Sequence, residues 1–231
     1  MDIRNARAVK TLIRNKLNSD KDWGETHLWF HEKGITVDLQ GDYYFLNADR
    51  RGHISELSDF CNSIIYKNNE LMCFHGMPIS RSTLEDMKTN PKFIWNEKTI
   101  FIENLTGKET YMFWDKFENK WIFSDDKRVN SPYRKLVEEN LYNIMSLDPS
   151  FTYCFKIVES GNNPGIFLET MYSNDTCKEV DWQEVYRISL KIQVKHPDIY
   201  AFQGFDHLEE SDFPIIVRDI STTTILLEKM K

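Results

Sequence analysis

The chain has 231 residues, of which 41% are hydrophobic and 28% are charged. A chain of this length can bury a sizeable core, and this composition excludes a disordered polymer. The formal net charge is −7, which gives no overall attraction to nucleic acid or to an anionic membrane. Any binding of phosphates therefore requires a local cluster of cations.

Cysteine usage and hydropathy bear on the compartment in which the protein is expected. The four cysteines are Cys61, Cys73, Cys154 and Cys177, and they form neither a C-x-x-C pair nor a zinc-like spacing with histidine. We read them as reduced, mostly buried thiols. No stretch approaches the length of apolar residues that crosses a membrane, and no signal peptide is visible. The sequence therefore predicts a cytoplasmic protein without membrane contact, metal or cofactor.

The first third of the chain predicts two helices around short strands. Residues 3–18 carry apolar side chains at helical spacing and predict the first helix. Short antiparallel strands are predicted at 27–30, 35–39 and 43–46, because turn residues separate them closely. Ser55 is expected to cap a helix that runs through Cys61 and Ile65. These are the elements of a meander flanked by helices.

Strands dominate the remainder of the sequence. They are predicted at 70–74, 99–103, 109–114, 120–124, 152–159, 165–171, 214–218 and 223–227. Helices are predicted from residue 82 or 83 to before Pro91, over 132–146 and from 181 to about 195. Gly107 supplies a tight turn between the second and third of these strands. The pattern predicts one mixed α/β (α+β) domain over residues 1–231, with largely antiparallel sheets, flanking helices and a candidate N-terminal subregion at 1–66.

Common catalytic and cofactor motifs are missing from the sequence. It contains no G-x-x-x-x-G-K-S/T, G-x-G-x-x-G, H-E-x-x-H or G-x-S-x-G pattern. His27 and His31 have the spacing of two metal ligands on a helix, but the extended segment predicted there argues against a metal pair. No catalytic group is therefore assigned from local motifs alone.

The segment from Ile100 to Lys108 carries a family resemblance. It reads as a strand, a glycine turn and a second strand, and it resembles the K-x-D-G segment of covalent nucleotidyltransferases, in particular the N-terminal domain of phage-type RNA ligases. In that family the lysine attacks the α-phosphate of ATP or GTP. The matching residues 104–107 begin with Asn104 and retain only Gly107. An amide nitrogen has a delocalised lone pair, so Asn104 cannot act as this nucleophile.

Two upstream segments extend the resemblance. Residues 72–77 resemble the family's C-R-G-(aliphatic) segment, with His75 at the arginine position. Residues 92–96 read Lys-Phe-Ile-Trp-Asn and resemble its K-F-F-N element, at a similar distance from both neighbours.

The downstream segments follow the family order but lose its acidic residues. Residues 121–127 fall where the family has F-x-S-K-G, and residues 151–158 resemble its F-E-(apolar)-V strand. Lys156 occupies the glutamate position of that strand. Residues 213–217 take the place of E-G-x-V, and residues 229–231 resemble the final K-x-K motif. The resemblance covers residues from about 60 to 231.

The resemblance implies a nucleotidyltransferase-like fold without covalent catalysis. Loss of both the lysine and the glutamate removes the nucleophile and a carboxylate that organises metal and nucleotide. The implied function is a ligase-like pseudoenzyme that binds nucleic acid, with RNA as the expected form, a nucleotide or a protein partner, without covalent nucleotidyl transfer. The implied binding residues are Asn104, Gly107, Lys156, Lys229, Lys231 and His75, with Lys156 expected to line a partly solvated basic groove.

Two alternatives remain open. One is a viral or phage accessory protein that binds a partner protein and no nucleotide. The other is an active RNA ligase-like enzyme whose lysine has moved, in which case Lys156 or Lys108 would have to reach the α-phosphate.

Overall fold

The structure is a computed structural model, and it describes residues 3–19, 23–49, 56–76, 80–89, 91, 93, 95–96, 99–159, 164–201, 215–218 and 224–227. The helices are α1 (Ile3–Ser19), α2 (Trp23–Glu32), α3 (Glu56–Phe60), α4 (Leu84–Thr89), α5 (Arg134–Asn140) and α6 (Trp182–Lys191). The strands are β1 (Ile35–Gln40), β2 (Tyr43–Ala48), β3 (Ile64–Lys67), β4 (Glu70–Cys73), β5 (Ser80–Ser82), β6 (Ile100–Glu103), β7 (Lys108–Asp115), β8 (Lys120–Ser124), β9 (Phe151–Val158), β10 (Gly165–Ser173), β11 (Ile199–Ala201), β12 (Ile215–Arg218) and β13 (Thr224–Leu227).

The strands form three sheets. The N-terminal sheet has the order β1-β2-β3-β4, the central sheet β10-β9-β7-β8, and the C-terminal sheet β11-β6-β12-β13-β5. Neighbouring strands pair antiparallel except β13 and β5, which are parallel. The predicted fold class, a mixed α/β protein with largely antiparallel sheets and flanking helices, is confirmed.

The central sheet is buried on both faces. On one face Tyr153 and Phe155 pack with Val137 of α5 and Val185 of α6. Because side chains alternate along a strand, the residue between those two aromatics, Cys154, belongs to the opposite face. There it packs with Tyr111, Phe113 and residues of the N-terminal sheet, including Phe45 and Ile65. The other face of the N-terminal sheet is covered by α1, α2 and α3, so the two sheets lie between two helical layers.

A buried ion pair joins the N-terminal and central sheets. The Lys67 ammonium lies 2.8 Å from an Asp115 carboxylate oxygen, which also accepts a 2.5 Å hydrogen bond from the Tyr43 hydroxyl. Although burial opposes ionisation of Asp115, hydrogen bonds from Lys67, Tyr43 and two backbone amides lower its pKa. The contact fixes how the two sheets lie against each other.

Three predicted elements differ from the structure. The strand predicted at 27–30 is wrong, because these residues lie in α2, where Thr26 and Phe30 are buried one helical turn apart while Leu28 is 58% exposed. Aromatic and apolar residues in a short run favoured a strand, but the tertiary environment selected a helix. The argument against a His27–His31 pair from extended structure therefore no longer applies.

The other two differences concern helix ends. Helix α3 ends at Phe60, and Ile65 belongs to β3, whose residues are buried throughout because both faces of the strand are covered. The helix predicted over 132–146 stops at Asn140, followed by an extended Leu141 and a left-handed Asn143 with φ 53°. A separate 3₁₀ turn, Ile144–Ser146, follows it. Ser55 lies outside the described residues.

The remaining predicted helices and most predicted strands agree with the structure. Helix α6 begins at the predicted point, where the Asp181 side chain caps it by accepting a 2.8 Å hydrogen bond from the Gln183 amide. It ends at Lys191, earlier than predicted. Among the helices in the described ranges, none is both long and apolar enough to cross a bilayer.

Candidate functional site

The Asn104–Gly107 segment is a loop that crosses between two sheets. It follows β6, which lies in the C-terminal sheet, and leads into β7, which lies in the central sheet. The end of β6 is held by a 3.0 Å hydrogen bond from the Glu103 amide to the Asp198 carbonyl. The start of β7 is held by pairing of Lys108 with Ile157 of β9. The predicted turn thus lies at the junction of the two sheets, and Asn104 at its start is half-buried.

Gly107 is pressed against β9. A Cβ atom at this position would lie 2.3 Å from the backbone oxygen of Ile157 and 3.3 Å from Cγ of Lys156. No side chain fits in this space without movement of the backbone. The close approach brings together Gly107 and Lys156, which are both predicted binding residues.

Lys156 is the buried centre of an ion-pair cluster in which the Glu109 side chain is 39% exposed. Its ammonium lies 2.6 Å from a carboxylate oxygen of Glu109 and 3.4 Å from one of Glu169. Only 9% of its side chain is exposed. These three residues are called the Lys156 cluster below. Lys156 was expected as a partly solvated groove residue, whereas the structure shows a cation enclosed by two acidic partners.

A β-bulge supplies the second carboxylate. Along β10, Leu168 pairs with Phe155 and Thr170 pairs with Cys154, so Glu169 is an extra residue between two regular pairs. A bulge redirects side chains relative to the regular alternation of a strand. Glu169 reaches Lys156 on the neighbouring strand, and its side chain is 12% exposed.

The three charges of the Lys156 cluster shift one another's pKa. Burial alone would lower the pKa of Lys156, but the carboxylates of Glu169 and Glu109 outweigh burial and raise this pKa above its ordinary value. Burial also opposes the charge of Glu109, yet Lys156 and a hydrogen bond from Tyr111 lower the pKa of that carboxyl. Burial raises the pKa of Glu169 to about 7. The cluster is therefore neutral below that pH and becomes negative when Glu169 ionises.

His75 connects to the cluster through Tyr111. The two rings are stacked, with centroids 3.5 Å apart and planes 6° from parallel. The Tyr111 hydroxyl in turn donates a hydrogen bond to Glu109. Burial lowers the pKa of His75 well below its usual value, so the imidazole is neutral. Its Nε2 lies 3.4 Å from the Ser124 hydroxyl, and Nδ1 has no hydrogen-bond partner within the described residues.

The structure brings some of the predicted binding residues close together and places further polar residues beside them. Gly107 contacts Lys156 directly, and His75 reaches it through Tyr111 and Glu109. Lys229 and Lys231 lie outside the described residues. Sequence reasoning missed Glu109, Tyr111 and Glu169, although alternation along β7 places Glu109 and Tyr111 on one face. No local signal marks the bulge that positions Glu169.

A pH titration tests the Lys156 cluster. Between the ordinary pKa of a glutamate and about 7, folded Glu169 retains a proton that the unfolded chain has lost. Its contribution to the free energy of unfolding therefore falls as pH rises through that window. We expect the wild type to lose on the order of 2 kcal/mol relative to Glu169→Gln between about pH 5 and about pH 8. Urea denaturation of both proteins across this range gives the difference, and parallel curves would contradict the assigned role of Glu169.

The acidic residues of the described ranges do not form a metal site. Within the described ranges, no group of three or more histidine, cysteine or acidic side chains is arranged to hold a metal ion. In the Lys156 cluster, the two carboxylates are held by an ammonium group.

Comparison with known proteins identifies the fold. No model of a protein family matches the chain, and no curated protein matches it significantly. Among solved structures, a protein of Aquifex aeolicus described as an ATP-dependent DNA ligase has a TM-score of 0.66 at 10% identity and matches 89% of this chain and 62% of its own. Two forms of an archaeal ATP-dependent RNA ligase have TM-scores of 0.65 and 0.66 at 11% and 12% identity.

The archaeal matches cover 96% and 94% of this chain but 64% and 63% of the ligase chains. The chain therefore spans a little over three fifths of the length of the ligases that it matches. Sequence identity this low supports a shared fold and nothing finer. The chain has the nucleotidyltransferase fold found in ATP-dependent ligases.

Proposed function

We propose that this protein is a ligase-like pseudoenzyme that binds nucleotide or nucleic-acid phosphates without forming a covalent lysyl-nucleotide. The observation that carries the proposal is the Lys156 cluster beside the Asn104–Gly107 loop. The resemblance gives this place to a nucleophilic lysine and a supporting glutamate. Here the loop begins with an amide, and the adjacent strand carries a lysine that is already ion-paired.

Covalent transfer requires a neutral amine in line with the leaving pyrophosphate. Asn104 offers no such amine. The pKa of Lys156 is raised by its two carboxylates, which keeps the side chain as a protonated ammonium without a lone pair for attack. Lys108 is exposed at the first position of β7, directly after the loop, and among the described residues it is the lysine next to Gly107 that is left to consider. The alternative of an active enzyme with a relocated lysine therefore rests on Lys108.

Because the Lys156 ammonium is already paired with Glu109 and Glu169, the donors proposed for a phosphate at this place are backbone amides of the loop. Thr106 and Gly107 are exposed residues of the loop between the two sheets, and backbone amides are common phosphate donors. Glu169 takes up a proton near neutral pH, which would remove the negative charge of the cluster when an anion approaches. Binding at this place is therefore expected to strengthen as pH falls from about 8 to about 6.

The test combines a mass measurement with a binding measurement. The protein is incubated with ATP or GTP and Mg²⁺, and its intact mass is recorded. We expect no increase by one nucleotide, because Asn104 and Lys156 both lack a usable lone pair and Lys108 lies past the turn at which the resemblance places the nucleophile. Calorimetric titration at low salt is expected to show reversible nucleotide or RNA binding that weakens as salt is added.

Two results would contradict the proposal in different ways. A stable nucleotide adduct mapped to Lys108 or Lys156 would establish an active nucleotidyltransferase. Absence of both nucleotide and RNA binding at low salt would favour the protein-interaction alternative.

A further inference from the structure

We infer that a cleft between α1 and the β3–β4 turn binds the phosphate backbone of a single-stranded nucleic acid. The cleft has a volume of about 810 Å³. One wall is α1, with Arg7, Lys10 and Arg14, and the other includes the turn residues Asn68 and Asn69. This surface is separate from the Asn104–Gly107 loop, and the inference does not depend on occupancy of that loop.

The orientation of α1 fixes the three cations at the cleft. Residues three, four and seven positions apart share one side of a helix, so Arg7, Lys10 and Arg14 form a single stripe. The neighbouring stripe contains Ala6 and Ile13, which are 4% and 0% exposed in the core. Since this apolar stripe must remain buried, α1 cannot rotate and turn its basic stripe away.

The cations are only partly compensated. Lys10 donates hydrogen bonds of 2.9 and 2.7 Å to the carbonyl oxygens of Asn174 and Asp175, which hold its position without cancelling its charge. Arg7 and Arg14 are exposed and form no ion pair within the described part of the chain. Of the two acidic residues at the cleft, Glu70 is paired with Lys116, which leaves Asp175. The cleft is therefore locally positive in a protein with a net charge of −7.

The spacing and chemistry of these groups favour a polyanion. Arg7 and Arg14 lie about 10 Å apart along the helix axis, which is further than one phosphate group reaches. Guanidinium groups bind phosphate oxygens in bidentate fashion. On the facing wall, Asn68 and Asn69 form a tight turn with left-handed φ angles of 49° and 64°, and asparagine amides are common donors to phosphate.

The nature of these contacts also predicts weak sequence preference. The side chains of the cleft would contact phosphate groups, and such contacts position a nucleic-acid strand without recognising its bases. The cleft lies beyond the Ser173 end of β10, whereas the partner of Lys156 in register, Phe167, lies near the other end. Seven residues of extended chain correspond to roughly 20 Å, so the two places can be tested independently.

The test compares a double variant that removes two positive charges from the cleft with a control double variant that removes two positive charges elsewhere. Arg7→Gln/Arg14→Gln removes two positive charges from the cleft and keeps good helix formers. Arg134→Gln/Lys135→Gln removes two positive charges from the exposed face of α5. The probes are labelled oligouridine and oligodeoxythymidine of about 16 nucleotides, measured by fluorescence anisotropy between about 50 mM and about 200 mM salt. Full-length protein is used throughout.

We expect the cleft variant to bind both probes at least about tenfold more weakly at low salt, and the control less than about twofold. The slope of log affinity against log salt should fall by about 1.4, since two phosphate contacts are lost on a single strand. Thermal unfolding and ATP binding should stay at wild-type values, because Arg7 and Arg14 are exposed and remote from Lys156.

Three outcomes would overturn the inference. They are absence of oligonucleotide binding by the wild type, equal loss in the cleft variant and the control, and competition by polyglutamate as effective as by the oligonucleotide. The last outcome would assign the cleft to an acidic peptide. Loss of ATP binding alone, with the oligonucleotide result intact, would count against the proposed function and leave the cleft assignment in place.

Discussion

Replacing Lys156 with glutamate is expected to destabilise the protein by about 3–5 kcal/mol, the usual effect of breaking a buried ion pair. The substitution would place a third carboxylate beside Glu109 and Glu169, in a position that is 9% exposed. This result would differ from the expectation for a solvated groove residue, for which the stability would hardly change. Chemical denaturation at neutral pH gives the free energy of unfolding directly.

A milder substitution at the same position separates charge from packing. Lys156→Met keeps a long apolar side chain and removes the cation, and Glu169 can then take up a proton because its pKa is already about 7. Lys156→Met should therefore cost less than Lys156→Glu, and its deficit should shrink as pH is lowered. Lys135→Glu, at an 86% exposed side chain, serves as the control and should change stability by less than about 0.5 kcal/mol.

The difference in stability between Lys156→Glu and Lys156→Met also decides how the nucleotide or RNA binding of each variant is interpreted. Loss of nucleotide or RNA binding by Lys156→Glu could follow from unfolding alone, because the variant introduces buried repulsion. The informative comparison is Lys156→Met, measured under conditions in which its folded fraction equals that of the wild type. Equal stability of Lys156→Glu and the wild type would show that the cluster is open to water, contrary to the structure.

Local sequence patterns predicted most of the strands and the order in which they follow one another. Strands β7 and β8 are short runs of apolar and aromatic residues around an obvious turn, and their pairing requires only neighbouring residues. The turn at Gly107 was likewise visible as a glycine between two such runs. This pattern of elements predicted the fold class, and the resemblance added a ligase-like fold, which the comparison with solved ligases supports.

The candidate site depends on contacts that no local pattern records. Glu109 and Lys156 are opposed only because β7 pairs with β9, in a register set by packing of both faces of the central sheet. Glu169 reaches them through a bulge, whose position depends on the fit between β9 and β10. Sequence alternation could therefore show that Lys156 shares a face with Cys154, but not that two carboxylates enclose it.

The error at α2 has a related physical cause. The segment is rich in aromatic and apolar residues, which intrinsic preference assigns to strands. Its actual conformation is set by burial of Phe30 against the core formed with β1 and α3, and that burial requires helical spacing from Thr26. Tertiary packing contributes more free energy here than the weak local preference for extended structure.

Substitution of Gly107 by alanine should cost about 3 kcal/mol, near the upper end of the usual range for overpacking. The added Cβ would lie 2.3 Å from the Ile157 carbonyl oxygen, a backbone atom fixed by the pairing of β7 with β9. Relief requires the loop to move away from β9, which would also displace Asn104 relative to Lys156. Nucleotide or RNA binding should therefore fall together with stability.

Gly41 serves as a comparison, because it has space for a Cβ but a left-handed backbone, whereas Gly107 has no space for a Cβ. Gly41 has a φ of +63°, and a Cβ there would meet no atom within 4 Å. Gly41→Ala should cost only the strain of a left-handed alanine, about 1 kcal/mol. Thermal and urea unfolding of the two variants give the comparison. If Gly107→Ala loses no more stability than Gly41→Ala, the loop does not press against β9, and the juxtaposition of Gly107 with Lys156 on which the proposed function rests is incorrect.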